Sequence, residues 1–149
     1  MPLFLSTHVN KVDKKGRVSV PAAYRASLAG QGWDGVVCLP SLTNPALDGC
    51  DLAFMEKLSA EQNQGIQAFS QAHDPLSSAV FAAARQLSFD SEGRILLPEA
   101  FLKHAGITDT ACFVGRGPTF QIWEPARFEA HHGDAWKALE AQQKAGAAK

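Results

Sequence analysis

A short motif that occurs twice constrains the fold of this chain more than any other feature of its sequence. The segment from Asp13 to Tyr24, DKKGRVSVPAAY, recurs from Asp90 to Phe101 as DSEGRILLPEAF, at a constant offset of 77 residues. Asp, Gly, Arg and Pro are identical in the two copies. The chain is therefore a tandem duplication, in which each copy encodes the same local structure.

The apolar residues of the motif predict a strand in each copy. They occur two positions apart, as Val18 with Val20 and as Ile95 with Leu97. Alternate residues of a strand share one face. We therefore expect these apolar residues to be buried, and Arg17 and Arg94 to project from the opposite face.

The residues before each arginine predict a tight turn. Gly16 and Gly93 occupy the position at which a short hairpin loop commonly requires a positive φ angle. Asp13 and Asp90 can accept hydrogen bonds from the same turn through their side chains. These four residues are the candidate loop-structuring residues.

Around the two motifs, the sequence predicts a mixed α+β fold that is mainly β. Each copy is expected to contain a strand, a tight turn, a second strand, a short helix and two further strands. Extended apolar stretches follow the helices at 36–39, 111–114 and 120–123. The predicted organisation is a first unit over 7–54, connecting helices over 55–83, a second unit over 84–127, and a C-terminal helix and tail over 128–149.

The connector and the C-terminal segment both carry helix signals. A capping box at Ser59–Gln62 and the pair Asp74-Pro75 predict helices over 59–72 and 75–85. Beyond Pro125, one apolar stripe predicts a helix to about residue 143 that packs within the chain or against a neighbour; its members are Phe128, Ala135, Trp136 and Leu139.

Composition excludes several classes of protein. At 149 residues, 46% hydrophobic and 19% charged, the chain is neither disordered nor fibrous. It contains no apolar run long enough to cross a membrane and no secretory leader pattern, so we expect a cytoplasmic protein. Cys38, Cys50 and Cys112 fall outside any Cys-x-x-Cys pair, and we interpret them as core residues.

Charge is distributed unevenly along the chain. The net charge is −1, yet Lys11, Lys14, Lys15 and Arg17 lie within seven positions that contain one acidic residue, Asp13. Such a cluster is either a solvated loop or a local site for an anionic partner.

The sequence carries none of the common enzyme motifs. It lacks a phosphate-binding loop, a nucleophile elbow and a dinucleotide fingerprint. His131 and His132 are adjacent, so on a helix they diverge and cannot share a metal. We expect no enzymatic activity, cofactor, metal or small-molecule substrate.

The two loops, Asp13-Lys14-Lys15-Gly16-Arg17 and Asp90-Ser91-Glu92-Gly93-Arg94, resemble the duplicated D-x-x-G-R loops of the MraZ family. The resemblance extends over nearly the whole chain, including Phe120-Gln121-Ile122-Trp123. It implies two tandem AbrB-like swapped-hairpin units that form a double-psi-like β-barrel core with flanking helices.

The resemblance also implies a function. MraZ proteins are bacterial transcriptional regulators that form rings and bind short G-rich repeats of double-stranded DNA with their loop arginines. The implied targets are the division and cell-wall gene cluster and the protein's own promoter, where repression is the expected effect, and the implied location is the nucleoid. The alternative is a ring-forming or antitoxin-like interaction scaffold that does not recognise specific DNA.

The chemistry of the first loop is compatible with that function. A two-stranded ribbon fits the major groove, and arginine binds guanine O6 and N7 with two hydrogen bonds. Arg17 is the candidate base-reading residue, while Lys14 and Lys15 would attract phosphates.

The second loop departs from this pattern, because Ser91 and Glu92 replace the two lysines. Either the second loop is structural, or Arg94 still reaches DNA while Glu92 weakens the attraction or pairs with a cation of the next subunit. Arg94 could also be a surface arginine paired with Asp90 or Glu92.

Overall fold

The computed structural model describes residues 2–62, residue 75 and residues 77–147. Its strands are β1 (Thr7–Lys11), β2 (Arg17–Ser19), β3 (Gly35–Pro40), β4 (Leu47–Cys50), β5 (Arg85–Ser88), β6 (Arg94–Leu96), β7 (Thr110–Gly115) and β8 (Phe120–Trp123). Its helices are α1 (Ala22–Leu28), α2 (Leu52–Gln62), α3 (Glu99–Ala105) and α4 (Pro125–Ala147), and a π-helical turn covers Ser77–Phe81. The fold is mixed, with an antiparallel sheet at its centre.

Most strand pairings join one copy of the repeat to the other. The six-stranded sheet has the order β1-β7-β8-β4-β3-β5, and β2 and β6 form a separate ribbon. Thus β1 pairs with β7, β3 with β5, β4 with β8, and β2 with β6, all antiparallel. Among the strands of the described residues, only the hairpins β3–β4 and β7–β8 pair strands within one copy. The two copies therefore build one sheet system together.

The main sheet is open, which corrects the expectation of a barrel. Its edges are β1 and β5, and no pairing between them closes the sheet within the described part of the chain. After each edge strand the chain turns into β2 or β6, and these three-residue strands pair with each other. An isolated bridge, between Val12 and Val18, joins the ribbon to the end of β1. The ribbon strands are too short to continue the ladder around a barrel.

The core is continuous across both copies. The apolar residues of the motif are buried as predicted, since Val18, Val20, Ile95 and Leu97 are each at most 2% exposed. Helices α1 and α3 bury one face each, and their inward residues are Tyr24, Leu28, Phe101 and Ala105. These side chains pack with Phe113 and Phe120 in one cluster. The three cysteines are free and buried, as expected, and burial raises the pKa of Cys50 to about 12 and that of Cys112 to about 11.

The connector differs from its prediction. Helix α2 begins at Leu52, where the Asp51 carboxylate accepts a hydrogen bond from the Phe54 backbone N–H at 2.8 Å. Ser59 is therefore inside the helix rather than at its cap. Residues 63–72 and Asp74 lie outside the described residues. The predicted helix over 75–85 is also too long, because β5 begins at Arg85.

The C-terminal helix is longer than predicted and packs along only part of its apolar stripe. It continues to Ala147. Phe128 lies against Trp123 with ring centroids 6.0 Å apart, whereas Trp136 is 57% exposed and Leu139 is 46% exposed. None of the described helices is both long enough and apolar enough to cross a membrane.

Candidate nucleic-acid interface

Each D-x-x-G-R segment forms the same tight turn. In the first loop, residues 13–17, the Gly16 N–H donates to the Asp13 carbonyl at 3.0 Å, and the Asp13 N–H donates to the Arg17 carbonyl at 3.0 Å. The second loop, residues 90–94, repeats both bonds at 3.0 and 2.9 Å. The φ angles of Gly16 and Gly93 are +93° and +75°. These angles confirm the predicted need for glycine, because side chains disfavour this conformation.

The aspartate of each loop stabilises the turn from inside. One carboxylate oxygen of Asp13 accepts the N–H groups of Lys15 and Arg17 at 3.0 and 2.8 Å. Asp90 accepts those of Glu92 and Arg94, both at 2.9 Å. The backbone hydrogen bonds from Arg17 and Arg94, above all, hold the pKa of these two carboxyls below the ordinary value.

The same aspartates also orient the arginines. Arg17 Nε donates to Asp13 Oδ2 at 2.6 Å, and Arg94 Nε donates to Asp90 Oδ2 at 2.8 Å. The hydrogen bond to Asp90 raises the pKa of Arg94 above its usual value. Each aspartate bonds to Nε and not to the two terminal nitrogens of the guanidinium. In Arg17 both terminal nitrogens can therefore form the paired bonds to a guanine edge.

The β2–β6 ribbon places both arginines on one face. Arg17 lies opposite Leu96, and Arg94 lies opposite Ser19. Val18 and Ile95 point into the core, so the arginines point outward. Their Cα atoms are two residue pairs apart along the ribbon, about 8 Å from strand geometry. The eight predicted site residues therefore lie in two loops at the two ends of one short ribbon.

The two loops differ in charge. Lys14 and Lys15 are exposed beside Arg17, and no ion pair of either lysine occurs among the described residues. In the second loop, Arg94 Nη2 pairs with Glu92 Oε2 at 3.1 Å in addition to the bond with Asp90. One terminal nitrogen of Arg94 thus already has a partner within the chain.

A further cation lies at the second loop that sequence reasoning did not place there. The Arg25 guanidinium of α1 covers Gly93 so closely that a Cβ at this glycine would lie 2.7 Å from Arg25 Cζ. Arg25 Nε donates to the Val20 carbonyl at 3.1 Å. Residue 102 is the repeat equivalent of Arg25, and Leu102 packs over Gly16 in the first loop. The repeat offset pairs these positions, but only the folded chain shows that each helix lies over the loop of the other copy.

The histidines of the C-terminal helix have aromatic partners. His131 stacks on Trp123 with ring centroids 4.6 Å apart, and His132 lies 5.4 Å from Phe128. Within the described residues, no group of three His, Cys, Asp or Glu side chains could hold a metal ion.

Comparison with known proteins identifies the family. A family model described as "MraZ protein, putative antitoxin-like" matches residues 80–148. The transcriptional regulator MraZ of Rickettsia akari (strain Hartford) is 44% identical over 143 residues, which are 96% of this chain and 95% of that protein.

Two further relatives carry the same name. The transcriptional regulator MraZ of Rickettsia rickettsii (strain Sheila Smith) is 46% identical over 137 residues, covering 92% of this chain and 91% of that protein. The transcriptional regulator MraZ of Pelagibacter ubique (strain HTCC1062) is 48% identical over 127 residues, which cover 85% of this chain and 81% of that protein. With identity at this level over nearly the full length of both chains, the protein described here belongs to the MraZ family.

Proposed function

We propose that this protein is a sequence-specific DNA-binding transcriptional regulator that reads short G-rich repeats with its loop arginines. Its relatives are named as transcriptional regulators and not as enzymes. The observation that carries the proposal is the placement of Arg17 and Arg94 on one outward ribbon face, each oriented by an aspartate. This geometry suits a ribbon that enters the major groove and presents guanidinium groups to guanine.

The roles of the remaining loop residues follow from their positions. Lys14 and Lys15 would bind phosphates, Arg17 would read a base, and Asp13, Gly16, Asp90 and Gly93 would hold the loops in shape. Arg94 would contribute a weaker contact, because Glu92 competes for one of its terminal nitrogens.

The proposal includes the organisation of the chain and its setting. The repeat units would be residues 7–54 and 84–127, joined by 55–83 and followed by 128–149, with the swapped-hairpin arrangement of AbrB-like proteins. Subunits would assemble into a ring in the cytoplasm, on the nucleoid. The regulated genes would be the division and cell-wall cluster, with repression of the protein's own promoter.

Fluorescence anisotropy with DNA from upstream of the protein's own gene tests this proposal. We expect Arg17→Ala to weaken binding by about 1–3 kcal/mol and to relax base preference, whereas Lys14→Ala mainly reduces the dependence on salt. Arg94→Ala measures how much the second loop contributes to the binding free energy. Scrambled DNA at two salt concentrations is the control, and equal, weak binding of both DNAs by the wild type would reject specific recognition.

A second candidate is an interaction scaffold without specific DNA recognition. The family description contains the word "antitoxin-like", and Trp136 and Leu139 leave apolar surface exposed on α4. The scaffold is favoured if the protein forms stable assemblies and the anisotropy experiment finds no preference for its upstream DNA.

A further inference from the structure

The second loop has lost both lysines of the first loop, but a cation from elsewhere in the chain lies against it. Residues 91 and 92 are Ser and Glu where residues 14 and 15 are both Lys. Arg25, which belongs to the first copy, covers the second loop at Gly93. Its repeat equivalent, Leu102, is uncharged and covers the loop that has the lysines. At the first loop, the positive charge is on the loop itself and the helix residue that covers it is uncharged. At the second loop, the helix residue carries the charge instead.

The contacts of Arg25 leave its charge available. Its Nε is used by the Val20 carbonyl, and none of the ion pairs among the described residues involves its terminal nitrogens. A cleft of about 260 Å³ lies beside it and is lined by both Arg25 and Ser91, a hydroxyl on the outer part of the loop. A guanidinium and a hydroxyl are common ligands of DNA phosphate oxygens.

We infer that Arg25 supplies the phosphate contact of the second loop, in place of the two missing lysines. This inference rests on the proposed function and adds a DNA-binding residue outside the D-x-x-G-R motif. Asp34 and Asp90 also line the cleft, and their negative charges disfavour a small free anion. A phosphate of a duplex already held by Arg17 needs only to reach Arg25 and Ser91, which is exposed.

The dependence of binding on salt tests the inference. Each phosphate contact that is lost lowers the slope of log K against log[salt] by about 0.9. For Arg25→Gln we expect this reduction for each subunit on the DNA. With one subunit bound, the loss relative to wild type is then about 3.5-fold larger at 50 mM than at 200 mM salt, and the ratio grows with each further bound subunit. Upstream and scrambled DNA should be weakened alike, because phosphate contacts carry no base preference.

Matched variants separate charge from structure. Arg116→Gln makes the same change in the β7–β8 turn. This turn follows the end of β7 that lies away from the first loop. The variant should leave the slope unchanged. Arg25→Gln combined with Ser91→Lys returns a positive charge to the second loop and should restore the slope. Arg25→Met keeps an aliphatic cover over Gly93 and serves if the glutamine variant does not fold.

The outcomes distinguish this inference from the function on which it rests. If the wild type does not prefer upstream DNA, the proposed function fails. If the wild type prefers upstream DNA and the slopes of the charge-free Arg25 variants equal that of the wild type, only the role of Arg25 is overturned. The role of Arg25 is also overturned if its variants lose base preference and Ser91→Lys does not restore that preference. This result would show that Arg25 only shapes the loop.

Discussion

At the scale of single residues, each loop aspartate has two tasks. One carboxylate oxygen accepts two backbone N–H groups, and the other accepts the arginine Nε. The arginine is therefore held in position in the protein alone, as the proposed contact with DNA would require. Preorganisation of this kind lowers the entropy lost on binding.

The lowered pKa of both aspartates predicts how loop stability depends on pH. A carboxyl whose pKa is lower in the folded than in the unfolded chain stabilises the fold above the unfolded pKa, and this stabilisation is lost as pH falls through the folded pKa. The ordinary value is 3.8. We therefore expect Asp13→Asn with Asp90→Asn to destabilise the protein at pH 7, and the difference from wild type to shrink as pH falls below 3.8.

Urea unfolding at pH 7, 5 and 3 measures that difference. Asp134→Asn, at an exposed position of α4, is the matched control and should follow the wild type at every pH. A difference that stays constant from pH 7 to pH 3 would show that the carboxylate charges do not stabilise the loops.

At the scale of elements, local signals were sufficient for the loops and for most strands. The turn glycines, the aspartate hydrogen bonds and the buried apolar pairs depend on residues within about five positions of each other, and all of them were predicted. The second strand expected after the first helix was not located at β4, since the sequence LDGC contains Asp and Gly, which are rare in strands. It forms because β3 and β8 pair with it on both sides, and Gly49 makes room for the Phe120 ring.

The sequence pattern did not predict two features, the start of α2 and the position of Arg25. The capping box at Ser59 matched a helix start, but Asp51 provides a side-chain acceptor earlier in the chain. The position of Arg25 over Gly93 depends on the pairing of β2 with β6 across the two copies. No periodicity within one copy contains that information.

The pairing of β4 with β8 includes a buried polar network that we expect to contribute to stability. Gln121 is 3% exposed, donates to Asp48 at 2.8 Å and accepts from Trp123 Nε1 at 2.9 Å. Gln121→Leu removes both bonds and leaves the indole N–H buried without a partner. The expected loss is about 1–3 kcal/mol.

Urea denaturation measures this loss as a lower midpoint with an unchanged m-value. Gln86→Leu is the comparison, because residue 86 is exposed on the edge strand β5 and should change stability by about 0.5 kcal/mol or less. Equal midpoints for the two variants would mean that the Gln121 network adds no net stability.

At the scale of the whole molecule, the charge of the chain opposes DNA binding while the charge of the first loop favours it. The first 33 residues contain five lysines and arginines and one acidic residue, and the remainder is acidic. A single subunit therefore offers one strongly basic loop on an acidic body. Its affinity for a single repeat should be weak and sensitive to salt.

Assembly should convert this weak contact into tight binding only where repeats are close together. In the proposed ring, once one loop is bound, the tethered loops would reach adjacent repeats at a high effective concentration, and the gain can be about 10²–10⁴-fold. We expect anisotropy to give tight binding for two adjacent repeats, and weak binding for one repeat or for two repeats spaced beyond the reach of the assembly. Light scattering during size exclusion gives the mass of the free protein, to be compared with 16.0 kDa for one chain. If the protein has the mass of one chain and binds all three DNAs with equal affinity, each subunit binds alone. Tethering can raise affinity only when a second subunit's loop is present to bind.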